Sequence, residues 1–144
     1  MPKDYAEDRE KTAGVFETAA GWDDRDVAAF LESSQESERQ RLEQALDRID
    51  HQLTERDAIH ETIVDDLEWT LEQYTDRLHT LYSRNTGKHD GSQKRLQDRI
   101  KEFSQELWDE HREHWRDRQA LEQERREVRR ELRELDDDAL SDLL

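Results

Sequence analysis

LYSRNTGKHDGSQKRL, residues 81–96, decides how this chain folds. It holds two of the four glycines, Gly87 and Gly91, between two long charged segments, and its Gly87-Lys88 invites comparison with a phosphate cradle. Such a cradle needs Gly-x-x-x-x-Gly-Lys-Ser/Thr between a strand and a helix, so that backbone N–H groups converge on phosphate oxygens. Position 82 is Tyr, position 89 is His and the preceding segment has helical periodicity, so the match fails three times. Asn85 and Gly87 instead suit the left-handed conformation that ends a helix, and Gly91 with Ser92 suits the start of the next. The stretch reads as a turn over 85–91 between two helices.

Outward from that turn, both flanking segments carry apolar residues in steps of three and four. On the N-terminal side the row is Leu42, Leu46, Ile49, Leu53, Arg56, His60, Ile63, Leu67, Leu71, Tyr74, Leu78 and Leu81. On the C-terminal side it is Leu96, Ile100, Phe103, Leu107, His111, His114, Arg118, Leu121, Arg125, Val128, Leu132 and Leu135. Rows of this kind form a coiled-coil seam. The four-residue steps from Ile63 to Leu71 depart from a strict heptad and read as a stutter. A short polar connection makes the two helices antiparallel neighbours. Folding the chain at residue 88 or 89 makes facing positions sum to roughly 177, which sets Leu81 by Leu96, Tyr74 by Phe103, Ile49 by Val128 and Leu42 by Leu135.

The expected fold is all-α: a long antiparallel helical hairpin with a short helical N-terminal segment, able to form a four-helix bundle as a dimer. Its parts are the N-terminal segment 1–33, a first long helix 34–84, the turn 85–91, a second long helix 92–136 and an acidic-apolar tail 137–144. Within the first part, Val15, Phe16, Ala19, Ala20 and Trp22 make a short apolar stripe, and Asp23 or Asp24 caps DDRDVAAFLESS, which either stands alone or runs on into the long helix. The tail, with Ala139, Leu140, Leu143 and Leu144 at helical spacing, packs at the hairpin base against Phe30 and Leu31 or serves as a docking peptide.

The middle of the seam is polar. The same register sets His60 near Arg118, His114 near Ile63, and His111 near Leu67 and Asp66. Asp57-x-x-His60 and His111-x-x-His114 each put two potential metal ligands on one helical face, with Glu61, Asp65, Glu110 and Glu113 close by. The Glu-x-x-His pairs of carboxylate-bridged metal sites in helical bundles are missing here, however, since Trp108 and His111 stand three residues before the two histidines. The preferred reading is a solvated polar layer with acidic partners that fixes register at the expense of stability. No metal ligand, cofactor-binding residue or catalytic residue is assigned.

Tryptophan marks a different surface. Trp108 and Trp115, seven apart, share one flank of the second helix. Trp69 lies two positions from both Leu67 and Leu71, about 160 to 200 degrees around the helix, and so faces away from the seam. Because large aromatics concentrate at interfaces, Trp69, Trp108 and Trp115 are the candidate partner surface, for another copy of the chain or for a different helical protein.

Composition bounds the rest. In 144 residues, 43% are charged and 31% hydrophobic, so no thick core can form; one proline and four glycines favour helix over coil. A net charge of −16 repels itself at ordinary ionic strength, and that repulsion largely disappears at molar salt, where the Debye length is about 3 Å. With 18 Arg, 5 Lys, 19 Asp and 20 Glu, the composition resembles that of halophiles which keep molar salt in the cytosol. There is no cysteine and hence no disulfide. No segment has the apolar length of a signal peptide or of a membrane span, which points to a cytoplasmic protein without membrane contact.

These features predict a non-enzymatic coiled-coil interaction or scaffold protein of a halophile, without cofactor, that self-associates or binds a helical partner. Two alternatives have weaker support. The basic turn with Arg84, Lys88, Lys94 and Arg95 could contact nucleic acid, although the acidic balance opposes generic phosphate binding. The His60, His111 and His114 layer could hold a metal. The arginine-rich run at 122–132 is interleaved with glutamates and reads as salt-bridge lacing.

Overall fold

The structure, a computed structural model, describes residues 23–84 and 91–143, with side chains to residue 141. Among them are two helices, α1 (Asp24–Arg84) and α2 (Ser92–Leu143), and no strand. They pack against each other as an antiparallel all-α hairpin. The apolar stripe of residues 15–22, the helix-ending roles of Asn85 and Gly87, and the placement of Leu144 lie outside the described residues.

Both helix starts have a local cause. The Asp23 side chain accepts a hydrogen bond from the Asp26 N–H at 2.8 Å, while the Asp23 N–H reaches the Asp26 carboxylate at 3.4 Å, a reciprocal capping box. The Asp23 carbonyl accepts the first helical bond, from the Val27 N–H. Asp23, rather than Asp24, is therefore the cap. At the other helix, the Gly91 carbonyl accepts from the Arg95 N–H at 3.1 Å, so Gly91 caps α2 and Ser92 is its first helical residue. Gly91 has φ +83°, a conformation that costs an L side chain strain and glycine little.

Two of the expected boundaries do not interrupt helix. Residues 24–33 are the first turns of α1, and 137–143 continue α2. Neither junction carries glycine or proline, so nothing in the backbone stops propagation.

The chain divides into two compact units. The first comprises Met1–Glu43 with Leu132–Leu144. Its seam consists of Leu42, buried, with Leu132, Leu135 and Ala139 half-buried, and an ion pair joins Arg39 to Asp136 across the helices. Val27, Phe30, Leu31 and Leu140 are exposed, so the expected packing of Leu140 against Phe30 and Leu31 does not bury these side chains. The physical reason is length: with Asp136 paired to Arg39, the last helical residue, Leu143, comes level with residue 32, and α2 offers nothing opposite Val27 or Leu31.

The second unit, Gln44–Glu131, carries the rest of the seam. Ile49 and Leu53 are buried, and Ile63, Leu67, Leu71, Leu78, Leu96, Ile100 and Leu107 are half-buried. Tyr74 meets Phe103 with ring centroids 5.3 Å apart, the pairing that the facing-position sum requires. Every residue of the α1 row is buried or half-buried. The α2 row differs at one position: Glu110 occupies the seam and His111 is exposed.

So thin a seam concentrates stability in few side chains. Replacing Ile49, 2% exposed, with Ala is expected to cost about 3 kcal/mol in urea unfolding. Trp69→Ala, at a site 63% exposed, should stay within about 0.5 kcal/mol in the isolated hairpin.

Candidate functional site

The polar middle of the second unit is an ordered network. From α1 come Arg56, Asp57 and His60, all on two consecutive turns; from α2 come Glu110, His114, Asp117 and Arg118. Arg56 donates to Glu110 at 2.9 Å and to Asp117 at 2.8 Å. The His60 Nδ1 lies 3.1 Å from the same Glu110 oxygen. On the other half, the His114 Nε2 lies 2.7 Å from Asp57, and Arg118 pairs with both Asp57 and Glu122. Each half thus holds a carboxylate between an arginine and a histidine contributed by the opposite helix.

The two halves meet through their rings. His60 and His114 stack with centroids 3.7 Å apart and planes within 4°, and His111 meets His60 edge-on at 5.1 Å. The expected juxtaposition of His60 with Arg118 gives way to this stack because the Arg118 guanidinium turns to Asp57 and Glu122. His114 is engaged by His60 and Asp57 rather than by Ile63 alone, and His111 touches His60 from the flank instead of filling the seam.

The partners of Glu110, Arg56 and His60, explain why a buried carboxylate is tolerated there. The Glu110 side chain is 10% exposed. Burial pushes its carboxyl up, but hydrogen bonds from Arg56 and His60 and the Arg56 charge outweigh this and hold it below the ordinary value of 4.5. Hydrogen bonds from His114 and Arg118 hold the Asp57 carboxyl below its ordinary 3.8. The Arg56 guanidinium is raised, chiefly by its bond to Asp117.

Chemically, the arrangement ties the helices together and fixes their register. The ring nitrogens in contact with carboxylates are Nδ1 of His60 and Nε2 of His114, on opposite halves of the stack. Among the described residues no three His, Asp or Glu side chains converge as a metal-binding group. An open groove beside the network is lined by Ile63, Leu67 and the carboxylates of Asp66, Glu106, Asp109, Glu110 and Glu113.

Trp69, Trp108 and Trp115 are each more than 60% exposed. Trp108 and Trp115 follow the seam residues Leu107 and His114 by one position and share a flank of α2. Trp69 falls on the back of α1, about 180 degrees from its seam. The hairpin does not gather the three into one patch. Sequence reasoning set Glu110 beside the histidine layer but not in the seam, and it missed Asp117; the visible signal was the alternative spacing Leu107, Glu110, His114, Arg118, Leu121, which admits a charged residue to the seam.

Two outcomes follow from the network. Because both carboxyls are held low in the folded state, their contribution is fully present above their unfolded values of about 4.5 and 3.8 and is lost as pH falls below them. Urea midpoints should therefore decline below about pH 4.5, and less steeply for Glu110→Gln. That variant should lose about 2 kcal/mol at pH 7, less than a fully broken buried pair, because Arg56 keeps Asp117.

Among the described residues no helix is long and apolar enough to cross a membrane. No curated protein and no solved structure matches the chain. A family match does extend over residues 14–144, both helices included. The chain belongs to that family, described as a family of unknown function, DUF8104.

Proposed function

We propose that this protein is a non-enzymatic interaction module, a helical hairpin that serves as scaffold or adaptor by self-association or by docking a helical partner. The observation that carries the reading is the exposure of Trp69, Trp108 and Trp115 on a unit whose own seam buries few apolar side chains. Tryptophan is enriched where proteins meet, since it buries a large area with little side-chain freedom to lose. The polar network supports the same role, because it fixes the register of the two helices.

The composition supports a cytosol of high salt as the setting. At a net charge of −16, repulsion opposes both folding and association until salt screens it. The melting temperature should rise by several degrees between low salt and molar KCl; a flat or falling curve would sink the halophilic reading.

The module reading is tested on the full chain purified at molar KCl from the cells that make it. The wild type should elute in a stoichiometric assembly, with itself or with a second protein. A variant with Trp69, Trp108 and Trp115 all changed to Ala should elute as a lone hairpin of unchanged helix content. A wild-type chain that is already a lone hairpin in that extract overturns the proposal.

A further inference from the structure

The flanks of the hairpin in the second unit are segregated by charge. In an antiparallel pair, the positions that follow the seam residues by one lie on the same side of both helices, because the twofold relating the helices preserves side. The contacts of Asp50 with Arg125 and of Asp57 with Arg118 place these α1 positions beside α2. On α1 that side carries the unpaired acids Asp47, Glu61, Glu68 and Glu72; on α2 it carries Lys101, Trp108, Trp115, Arg126 and Arg129, besides Glu122, which is paired with Arg118. Among the described residues, none of these charged side chains except Glu122 makes an ion pair within the chain. One face of the hairpin thus presents an acidic half beside a basic and aromatic half.

We infer that this face is covered by a second copy of the chain, related by a twofold running along the helices. The inference rests on the module reading above and names its partner. That operator lays the basic and aromatic flank of α2 on the acidic flank of the partner's α1, and the reverse at the same time. Every neighbouring helix is then antiparallel, as in an up-down four-helix bundle. The other twofold within the face would lay acid on acid.

Register supports the fit. With Tyr74 level with Phe103, Trp108 and Trp115 come level with residues 69 and 62, and so on either side of Val64 in the partner subunit. Arg126 and Arg129 come level with residues 51 and 48, in reach of the partner's Asp47. Val64 is half-buried and shares this side. A tryptophan side chain presents up to about 250 Å², so at 68% and 63% exposure Trp108 and Trp115 together offer on the order of 300 Å². A standard interface buries about 800 Å² per partner. Two side chains therefore supply more than a third of that area, and the flanking aliphatic stems of arginine and lysine extend it.

Trp69 stands outside this interface, on the back of α1, which separates its role from that of the pair on α2.

The test uses the full chain made recombinantly, alone, at molar KCl. Light scattering after gel filtration should give about 35 kDa, twice 17.4 kDa. Trp108→Ala with Trp115→Ala should give the single-chain mass with helix content unchanged, while Trp69→Ala stays dimeric. Since the chain has no cysteine, Glu61→Cys combined with Gln119→Cys reports the arrangement: oxidation should yield a covalent dimer on a non-reducing gel. A monomer at molar KCl overturns the inference, and a stoichiometric second protein in the native extract would then leave the module reading intact. A dimer that survives loss of both tryptophans, or one in which the paired cysteines do not join the copies, overturns the proposed face.

Discussion

Glu110 is the constraint around which the hairpin is organised. A carboxylate withdrawn from water within a two-helix seam is costly, and the cost is offset only while Arg56 and His60 on the other helix hold it. Those contacts require one relative position of the helices along their length. Sliding α2 by a single turn would leave a charge buried without a partner. The stacked histidines and the Asp57 pairings repeat the arrangement on the other half, so register is secured by polar groups where apolar packing is thinnest.

With Glu110 in the seam, the two rows match in a way that the apolar residues alone conceal. The α1 row takes two successive four-residue steps through Ile63, Leu67 and Leu71, and the α2 row takes two through Glu110, His114 and Arg118. Each helix departs from the heptad once, and the departures compensate, so the helices stay level on both sides of the network, at Tyr74 with Phe103 and at Asp50 with Arg125. A stutter unwinds a supercoil locally. Here that region holds the ring stack and the ion pairs, whose longer reach suits looser packing.

A seam of this kind has consequences for the surface. Few apolar groups are buried among the described residues, so the hairpin has little stability to spare, and Trp69, Trp108 and Trp115 remain on the outside. Acidic flanks keep such a surface soluble, at the expense of self-repulsion that salt relieves. Charge, salt and exposed aromatics are therefore one problem for this chain. The proposed association in a salt-rich setting would resolve it by covering the aromatics where repulsion is weakest.

Much of this was legible in the residues. The failed phosphate-loop pattern at 81–96, the three-and-four spacing of leucines and the scarcity of glycine and proline determined two antiparallel helices and the level of Tyr74 with Phe103, because periodicity and turn chemistry are local properties. The outward position of Trp69 followed from the same geometry. The choice between Glu110 and His111 was not local. Either satisfies helical spacing, and only the nearness of Arg56 and His60 on the other helix makes a buried carboxylate affordable. The partnership of Arg118 with Asp57 rather than with His60, and the separation of Trp69 from Trp108 and Trp115, were likewise decided by how two helices face each other. Sequence alone determined the two helices and their antiparallel pairing; tertiary structure decided which charge enters the seam, since the cost of burying it depends on side chains fifty or more residues away.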